Sequence, residues 1–111
     1  MRVYEVRFLE ESLADLEEII LYIAQDSKTA AINMHDKIIE RIGGLETFPK
    51  RGRLIDDEKL AAAGYRMLII KPYIAFYRII DDKVVIYRIL HGAINYPLLL
   101  GRITSKDDCV E

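Results

Sequence analysis

The sequence predicts an α+β domain with an N-terminal strand, an antiparallel hairpin of two helices, and a three-stranded antiparallel meander that completes one sheet. Three patterns support this prediction. Residues 4–8 alternate between apolar and charged side chains, residues 9–45 repeat apolar side chains at helical steps, and three strand-like segments follow residue 64. Because 111 residues suffice for one stable core only, we expect a single domain over 1–111, with a core at 2–96 and a tail at 97–111.

The first strand and first helix are predicted from a change of period. Tyr4, Val6 and Phe8 alternate with charged residues, which is typical of a strand. The following helix is predicted over about residues 10–25. Its apolar stripe consists of Leu9, Leu13, Leu16, Ile20 and Ile23. Glutamates occupy the other side, and those in the first turn suit the positive end of the helix dipole.

The second helix begins after an N-cap offered by Asp26 or Ser27. Its apolar stripe consists of Ala31, Met34, Ile38, Ile42 and Leu45. Phe48-Pro49 ends it, because proline disfavours helical geometry in the preceding residue. The short link between the helices predicts an antiparallel hairpin. Residues 50–63 lack a strand period, so we expect a loop there, with a short helix near 58–62.

Three strands are predicted at 65–70, 73–80 and 83–90, joined by two-residue loops at Lys71-Pro72 and Asp81-Asp82. Such loops fix which side chains share a face. One face carries Arg66, Leu68, Ile70, Tyr73, Ala75, Tyr77, Ile79, Val84, Ile86 and Arg88, with Ala75 opposite Arg88. The other carries Tyr65, Met67, Ile69, Ile74, Phe76, Arg78, Val85, Tyr87 and Ile89. We expect the second face to pack on the helices, which leaves the first as a candidate binding patch of arginines and tyrosines or as an ordinary solvated face.

Composition and charge exclude several classes of protein. No apolar run is long enough for a membrane helix, and the N-terminal residues lack the apolar segment of a secretory signal. The single cysteine, Cys109, excludes an internal disulfide and a cysteine-rich zinc site and suits a reducing cytoplasm. Residues 1–48 hold five Lys/Arg and ten Asp/Glu, whereas residues 49–102 hold ten and five. This asymmetry predicts either one face with a strong local field or an ordinary mixed surface.

Few residues are candidates for acid–base catalysis or for binding a phosphate group. His91, at the end of the last predicted strand, could act as a general acid or base or have a structural role. Lys50, Arg51 and Arg53 form a basic cluster that could hold a phosphate backbone or simply be solvated. RNA cleavage needs a base, an acid and a cation at the phosphate, and tyrosine is a poor base at neutral pH. We expect no metal and no cofactor.

Several motifs, taken together in their order and spacing, are similar to those of one known family. They are Leu13-Ala14-Asp15-Leu16-Glu17-Glu18-Ile19 with Tyr22-Ile23-Ala24, Phe48-Pro49-Lys50-Arg51-Gly52, Gly64-Tyr65-Arg66, Tyr73 with Phe76-Tyr77-Arg78, and Val85-Ile86-Tyr87-Arg88-Ile89-Leu90-His91-Gly92. Over about residues 4–96 the chain resembles the RelE/ParE superfamily, the toxins of type II toxin–antitoxin systems, and more closely its ParE (plasmid stabilisation) branch.

The resemblance implies a cytoplasmic toxin that is neutralised by a cognate antitoxin. ParE-like members inhibit DNA gyrase, and RelE-like members cleave mRNA in the ribosome. Matched by motif, the implied target-binding residues are Arg66, Tyr73, Tyr77, Arg88 and His91. If the chain is a nuclease, the implied catalytic residues are Arg66, Arg88 and His91.

We expect a ParE-like gyrase inhibitor that acts by binding. The alternatives are a RelE-like ribosome-dependent mRNA endonuclease and an attenuated relative that binds a partner. Many relatives have basic residues after the His-Gly motif, whereas this chain continues with Ala93-Ile94-Asn95, which disfavours tight phosphate binding. Leu98, Leu99 and Leu100 are a weak candidate for antitoxin contact or an anchor of the tail on the core.

Overall fold

The computed structural model describes residues 3–93. Within this range the chain forms five strands and three α-helices, and one turn of 3₁₀ helix at Gly44–Glu46 follows the second helix. In chain order the elements are β1 (Glu5–Phe8), α1 (Glu10–Ala24), α2 (Lys28–Gly43), β2 (Arg53–Leu54), α3 (Glu58–Ala62), β3 (Arg66–Ile70), β4 (Tyr73–Ile80) and β5 (Lys83–His91). The predicted α+β fold is confirmed. Strand β2 was not predicted, because two residues are too few to show a strand period.

Local signals explain where the helices begin. The Ser27 side chain accepts a hydrogen bond from the Ala30 backbone N–H and caps α2. Asp57 caps α3 in the same way, through the Leu60 backbone N–H. No helix within residues 3–93 combines the length and the apolar character that a membrane span requires.

The sheet has the strand order β1-β5-β4-β3-β2, in which β1 runs parallel to β5 and all other pairs are antiparallel. Both predicted two-residue loops are present. Across β3 and β4, Arg66 lies opposite Tyr77 and Ile70 opposite Tyr73, as the loop length requires. The first half of the predicted β4–β5 register is also confirmed, since Tyr77 lies opposite Ile86.

A β-bulge changes the second half of the β4–β5 register. Phe76 pairs with Arg88 although Tyr77 pairs with Ile86, so Tyr87 is an extra residue on β5. Ala75 therefore lies opposite Ile89, and the predicted pairing of Ala75 with Arg88 was wrong. One extra residue reverses the side-chain alternation beyond it, which brings Ile89 into the core beneath the helices.

The predicted assignment of the two sheet faces was also wrong. The helical hairpin packs on the face that carries Tyr77, not on the opposite one. Its core contains Leu16, Ile38, Ile42, Leu45, Leu68, Ile70, Tyr73, Ala75, Tyr77, Val84, Ile86 and Ile89. The arginines that made this face look exposed lie at its margins. There Arg66 reaches a loop backbone and Arg88 reaches α1.

The opposite face of the sheet is covered too. Helix α3 and the segment before it supply Leu60 and Ile55. Together with the sheet they form a second core of Ile55, Leu60, Tyr65, Met67, Ile74, Phe76, Tyr87 and Leu90. Arg78 is accommodated here because its guanidinium lies over two aromatic rings, 5.4 Å from the Tyr65 centroid and 5.9 Å from that of Tyr87.

Candidate functional site

The structure separates the predicted target-binding residues into two groups. Arg66 and Tyr77 contact the backbone of residues 48–53, the segment called here the Gly52 loop. Tyr73, Arg88 and His91 line a groove between α1 and the ends of β4 and β5, called here the α1 groove. The predicted single patch of arginine and tyrosine is therefore two separate arrangements.

Three hydrogen bonds hold the Gly52 loop. The Tyr77 hydroxyl accepts from the Gly52 N–H at 2.9 Å and donates to the Pro49 carbonyl at 2.7 Å. Arg66 donates from Nη1 to the Gly52 carbonyl at 2.6 Å. Tyr77 is fully buried, and burial raises the pKa of its hydroxyl, while the Gly52 hydrogen bond and the Arg66 charge act in the opposite direction. Tyr77 is therefore a neutral anchor for the loop at physiological pH.

The Gly52 loop carries the basic cluster predicted from the sequence. Lys50, Arg51 and Arg53 are all exposed. The Arg51 guanidinium lies 5.3 Å from the centroid of the exposed Phe48 ring, and Arg53 forms a surface ion pair with Asp56 at 3.2 Å. The anchored backbone thus presents basic and aromatic side chains in a defined arrangement, which suits contact with an anionic surface.

Replacing Tyr77 with phenylalanine is expected to destabilise the protein by about 2 kcal/mol, because the buried Gly52 N–H loses its acceptor. Urea denaturation followed by circular dichroism measures the effect. Tyr22→Phe is the matched control, since the Tyr22 side chain is 69% exposed. Equal stabilities for the two variants would show that the Tyr77 hydroxyl does not anchor the loop.

The α1 groove is built around an ion pair that sequence reasoning missed. The Asp15 carboxylate accepts from Arg88 Nε at 2.7 Å and from Nη2 at 2.8 Å, and also from the Ile89 backbone N–H at 3.0 Å. The third bond satisfies a backbone donor just beyond the bulge. The hydrogen bond to Asp15 raises the pKa of Arg88, and the charges of Glu11 and Glu18 add to the shift.

A signal for Asp15 was present in the helical spacing. The observed buried side of α1 includes Ser12, Asp15 and Leu16, while Leu13, which was assigned to the apolar stripe, is half exposed. The helix is thus rotated from the predicted orientation, and two polar residues face the protein interior. A buried carboxylate needs a cationic or hydrogen-bonding partner, and a search for one would have led to the arginines of the sheet.

The groove has a volume of about 810 Å³. On the sheet side it is lined by Tyr73 of β4 and His91 of β5. Their rings meet edge to face with centroids 5.7 Å apart. Burial, and then the nearby Tyr22, raise the pKa of Tyr73. His91 is exposed, and its Nδ1 accepts from the Ala93 N–H at 3.1 Å, which leaves the ring proton of the neutral form on Nε2. In that form His91 presents an N–H donor at the surface of the groove.

Both arginines that a nuclease would use have partners within the protein. Arg88 is bound to a carboxylate, Arg66 is bound to a loop carbonyl, and Tyr77 is inside the core. Over residues 3–93 no cluster of three His, Cys, Asp or Glu side chains is placed to hold a metal ion. Leu98, Leu99 and Leu100 lie outside the described residues.

Comparison with known proteins identifies the family. Residues 6–96 match the family model described as the ParE toxin of the type II toxin–antitoxin system parDE. Two similar curated proteins come from Caulobacter vibrioides. Toxin RelE2 is 37% identical over 74% of this chain and 88% of its own length, and toxin ParE3 is 30% identical over 81% of this chain and 88% of its own length.

Two solved structures share the fold. A chain of the chromosomal ParDE system from P. aeruginosa has a TM-score of 0.66 at 21% identity, covering 80% of this chain and 96% of that one. A chain of the RelBE2 toxin–antitoxin complex from Mycobacterium tuberculosis has a TM-score of 0.53 at 27% identity, covering 80% of this chain and 98% of that one. The match over nearly the whole described domain, on a fold shared with both systems, places the protein in the ParE toxin family, within the RelE/ParE superfamily of type II toxin–antitoxin toxins.

Proposed function

We propose that this toxin arrests growth by binding DNA gyrase, without cleaving RNA, and that a cognate antitoxin neutralises it in the cytoplasm. The observation that carries the proposal is the bidentate bond between Arg88 and the buried Asp15. An arginine that stabilises the transition state of RNA cleavage must present its guanidinium to the phosphate. Here that guanidinium is already bound to a carboxylate.

The remaining candidates support the same conclusion. Raised pKa values leave less of Tyr73 and Tyr77 in the phenolate form at neutral pH than is found for free tyrosine, so neither is available as a base. Arg66 donates to the Gly52 carbonyl, so it positions the Gly52 loop. Among the target-binding residues, Arg66 and Tyr77 thus act through the loop, whereas Tyr73, Arg88 and His91 act through the groove.

One observation favours the RelE-like alternative. His91 is exposed beside the groove, and histidine is the side chain that most often serves as a general acid or base. The similarity to a curated protein named toxin RelE2 points the same way. In this alternative, loss of mRNA cleavage in a folded His91→Ala variant is expected.

Pulse-labelling of DNA and protein synthesis after induction of the chain in bacteria distinguishes these functions. We expect DNA synthesis to stop first and purified chain to inhibit supercoiling by gyrase. The control is the chain co-expressed with its antitoxin, which should leave both syntheses intact. Protein synthesis stopping first, with mRNA cut in ribosomes, would contradict the proposal. Unaffected synthesis of both polymers would indicate an attenuated relative.

A further inference from the structure

The Gly52 loop presents a net positive charge at the surface. Lys50, Arg51 and Arg53 are exposed. Arg53 pairs with Asp56, but the two side chains are 58% and 78% exposed, so the pair is weak and Arg53 can exchange it for another anion. Lys50 and Arg51 take part in none of the ion pairs within residues 3–93. The loop is therefore a candidate site for an anionic partner.

The Arg51 side chain has a defined position. Its guanidinium lies over the Phe48 ring, and it packs so closely on Gly44 that a Cβ added there would lie 3.0 Å from Arg51 Nη1. The backbone of the loop is itself bound to Tyr77 and Arg66. A cation that is held in place before its partner arrives loses less conformational entropy on binding.

The basic loop and the acidic side of α1 are far apart in the domain. The loop leads into β2, the last strand at one edge of the sheet, whereas α1 packs on β5, next to the other edge. The exposed glutamates of α1 are Glu10, Glu11, Glu17 and Glu18. A polyanion can therefore approach the loop without meeting these glutamates, although the formal net charge of the chain is −2.

Charge density favours one class of polyanion over others. Duplex DNA carries one negative charge per about 1.7 Å of helix axis, whereas an extended acidic peptide carries at most one per about 3.3–3.6 Å. A small set of cations gains most from the denser polymer, because binding releases its condensed counterions. Single-stranded RNA is commonly held by stacking of bases on aromatic rings, and Arg51 covers one face of the Phe48 ring.

We propose that the Gly52 loop is a phosphate-binding site for duplex DNA, in which Lys50, Arg51 and Arg53 contact the phosphodiester backbone without reading its sequence. This inference rests on the proposed function in one respect, namely that the duplex is the DNA held by gyrase. Non-specific DNA binding is weak, with a Kd of about 10⁻⁴–10⁻⁶ M at physiological salt. Binding to gyrase raises the effective concentration of DNA at the loop, so a weak contact is sufficient there.

The test measures binding of the full chain to a fluorescein-labelled duplex of 20 base pairs by fluorescence anisotropy, over a series of salt concentrations. We expect Lys50→Gln/Arg51→Gln to weaken binding about tenfold at low salt. The slope of the logarithm of the association constant against the logarithm of salt concentration should fall by about 2, because each phosphate contact contributes about 0.9. A second duplex of unrelated sequence should bind equally well.

The matched control is Arg7→Gln/Lys28→Gln, which makes the same charge change at two other exposed positions. Arg7 belongs to β1, at the opposite edge of the sheet from the loop. Lys28 begins α2, about 24 Å along the helix from the end that precedes the loop. This variant should keep the affinity and salt dependence of the unmodified chain. No binding of the duplex, or an equal loss in both variants, would overturn the proposal.

Two further probes test other partners for the loop. They are a single-stranded RNA of 20 nucleotides and a polyglutamate peptide of 20 residues, and we expect both to bind more weakly than the duplex. Tighter binding of the RNA that is lost in Lys50→Gln/Arg51→Gln would overturn the proposal in favour of an RNA site. Tighter binding of the peptide that is lost in the same variant would overturn it in favour of an acidic protein surface.

The binding of the duplex is measured without gyrase. If the chain binds the duplex through the loop but does not inhibit supercoiling, the gyrase proposal fails while the loop remains a DNA-binding site. If gyrase is inhibited but the duplex does not bind, only the loop proposal fails.

Discussion

Replacing Asp15 with alanine is expected to destabilise the protein by about 3 kcal/mol, because it leaves Arg88 without its carboxylate and the Ile89 N–H without its acceptor. Breaking a buried ion pair by removing one partner costs about 3–5 kcal/mol. The Arg88 side chain is 22% exposed and that of Asp15 is 10% exposed. Partial access of water to the arginine places the expected cost near the lower end of that range.

Urea denaturation of the Asp15→Ala variant measures this cost, and two further variants explain it. Glu17→Ala is the neighbouring control, since Glu17 is exposed and its loss should change stability by less than about 0.5 kcal/mol. Adding Arg88→Met should recover part of the loss, because the unpaired charge is then removed. If Asp15→Ala is as stable as Glu17→Ala, the ion pair does not hold α1 against β5.

Most of the fold could be predicted because its signals are local. Helical periodicity, the Ser27 cap and two-residue loops depend on residues that are near each other in sequence. These features also predict the same order of helices and strands, as expected of a sequence that specifies one structure. The short helix α3 was predicted for the same reason, and Asp57 caps it.

The faces of the sheet could not be predicted because they depend on contacts between distant residues. Both faces of the sheet are apolar, so periodicity alone did not show which one the helices cover. The bulge at Tyr87 has no Gly or other turn residue to indicate it, yet it moves Ile89 to the face beneath the helices and pairs Arg88 with Phe76 in place of Ala75. The partner of the Arg88 side chain, Asp15, is 73 residues away in the chain.

The candidate site was predicted as a set of residues but not as an arrangement. Tyr73, Arg88 and His91 do line one groove. Arg66 and Tyr77 are directed instead to backbone atoms of Pro49 and Gly52. Side-chain bonds to loop backbone leave no pattern in the sequence, since any residue supplies a carbonyl and almost any residue supplies an N–H.

Replacing Gly52 with alanine is expected to destabilise the protein by about 3 kcal/mol and to displace the Gly52 loop. An added Cβ would lie 2.6 Å from the Tyr77 hydroxyl oxygen and 2.7 Å from the Met67 carbonyl oxygen. The Met67 carbonyl belongs to β3, and Tyr77 is packed in the core, so the loop is what must move. Movement of the loop weakens all three of its bonds to Tyr77 and Arg66.

Position 52 requires glycine because a side chain does not fit there, and the backbone conformation is not the reason. Among the described residues, the glycine with a positive φ is Gly64. Gly43→Ala is the matched control. Gly43 has a φ of −57° at the end of α2, and an added Cβ there meets nothing within 4 Å. That variant should be stabilised by about 0.5–1 kcal/mol, because alanine favours helix over glycine. The two substitutions are therefore expected to change the free energy of unfolding in opposite directions in urea denaturation.

If Gly52→Ala is neutral while Tyr77→Phe is destabilising, the loop can move without losing its anchor. Tyr77 then does not determine how the basic cluster is presented.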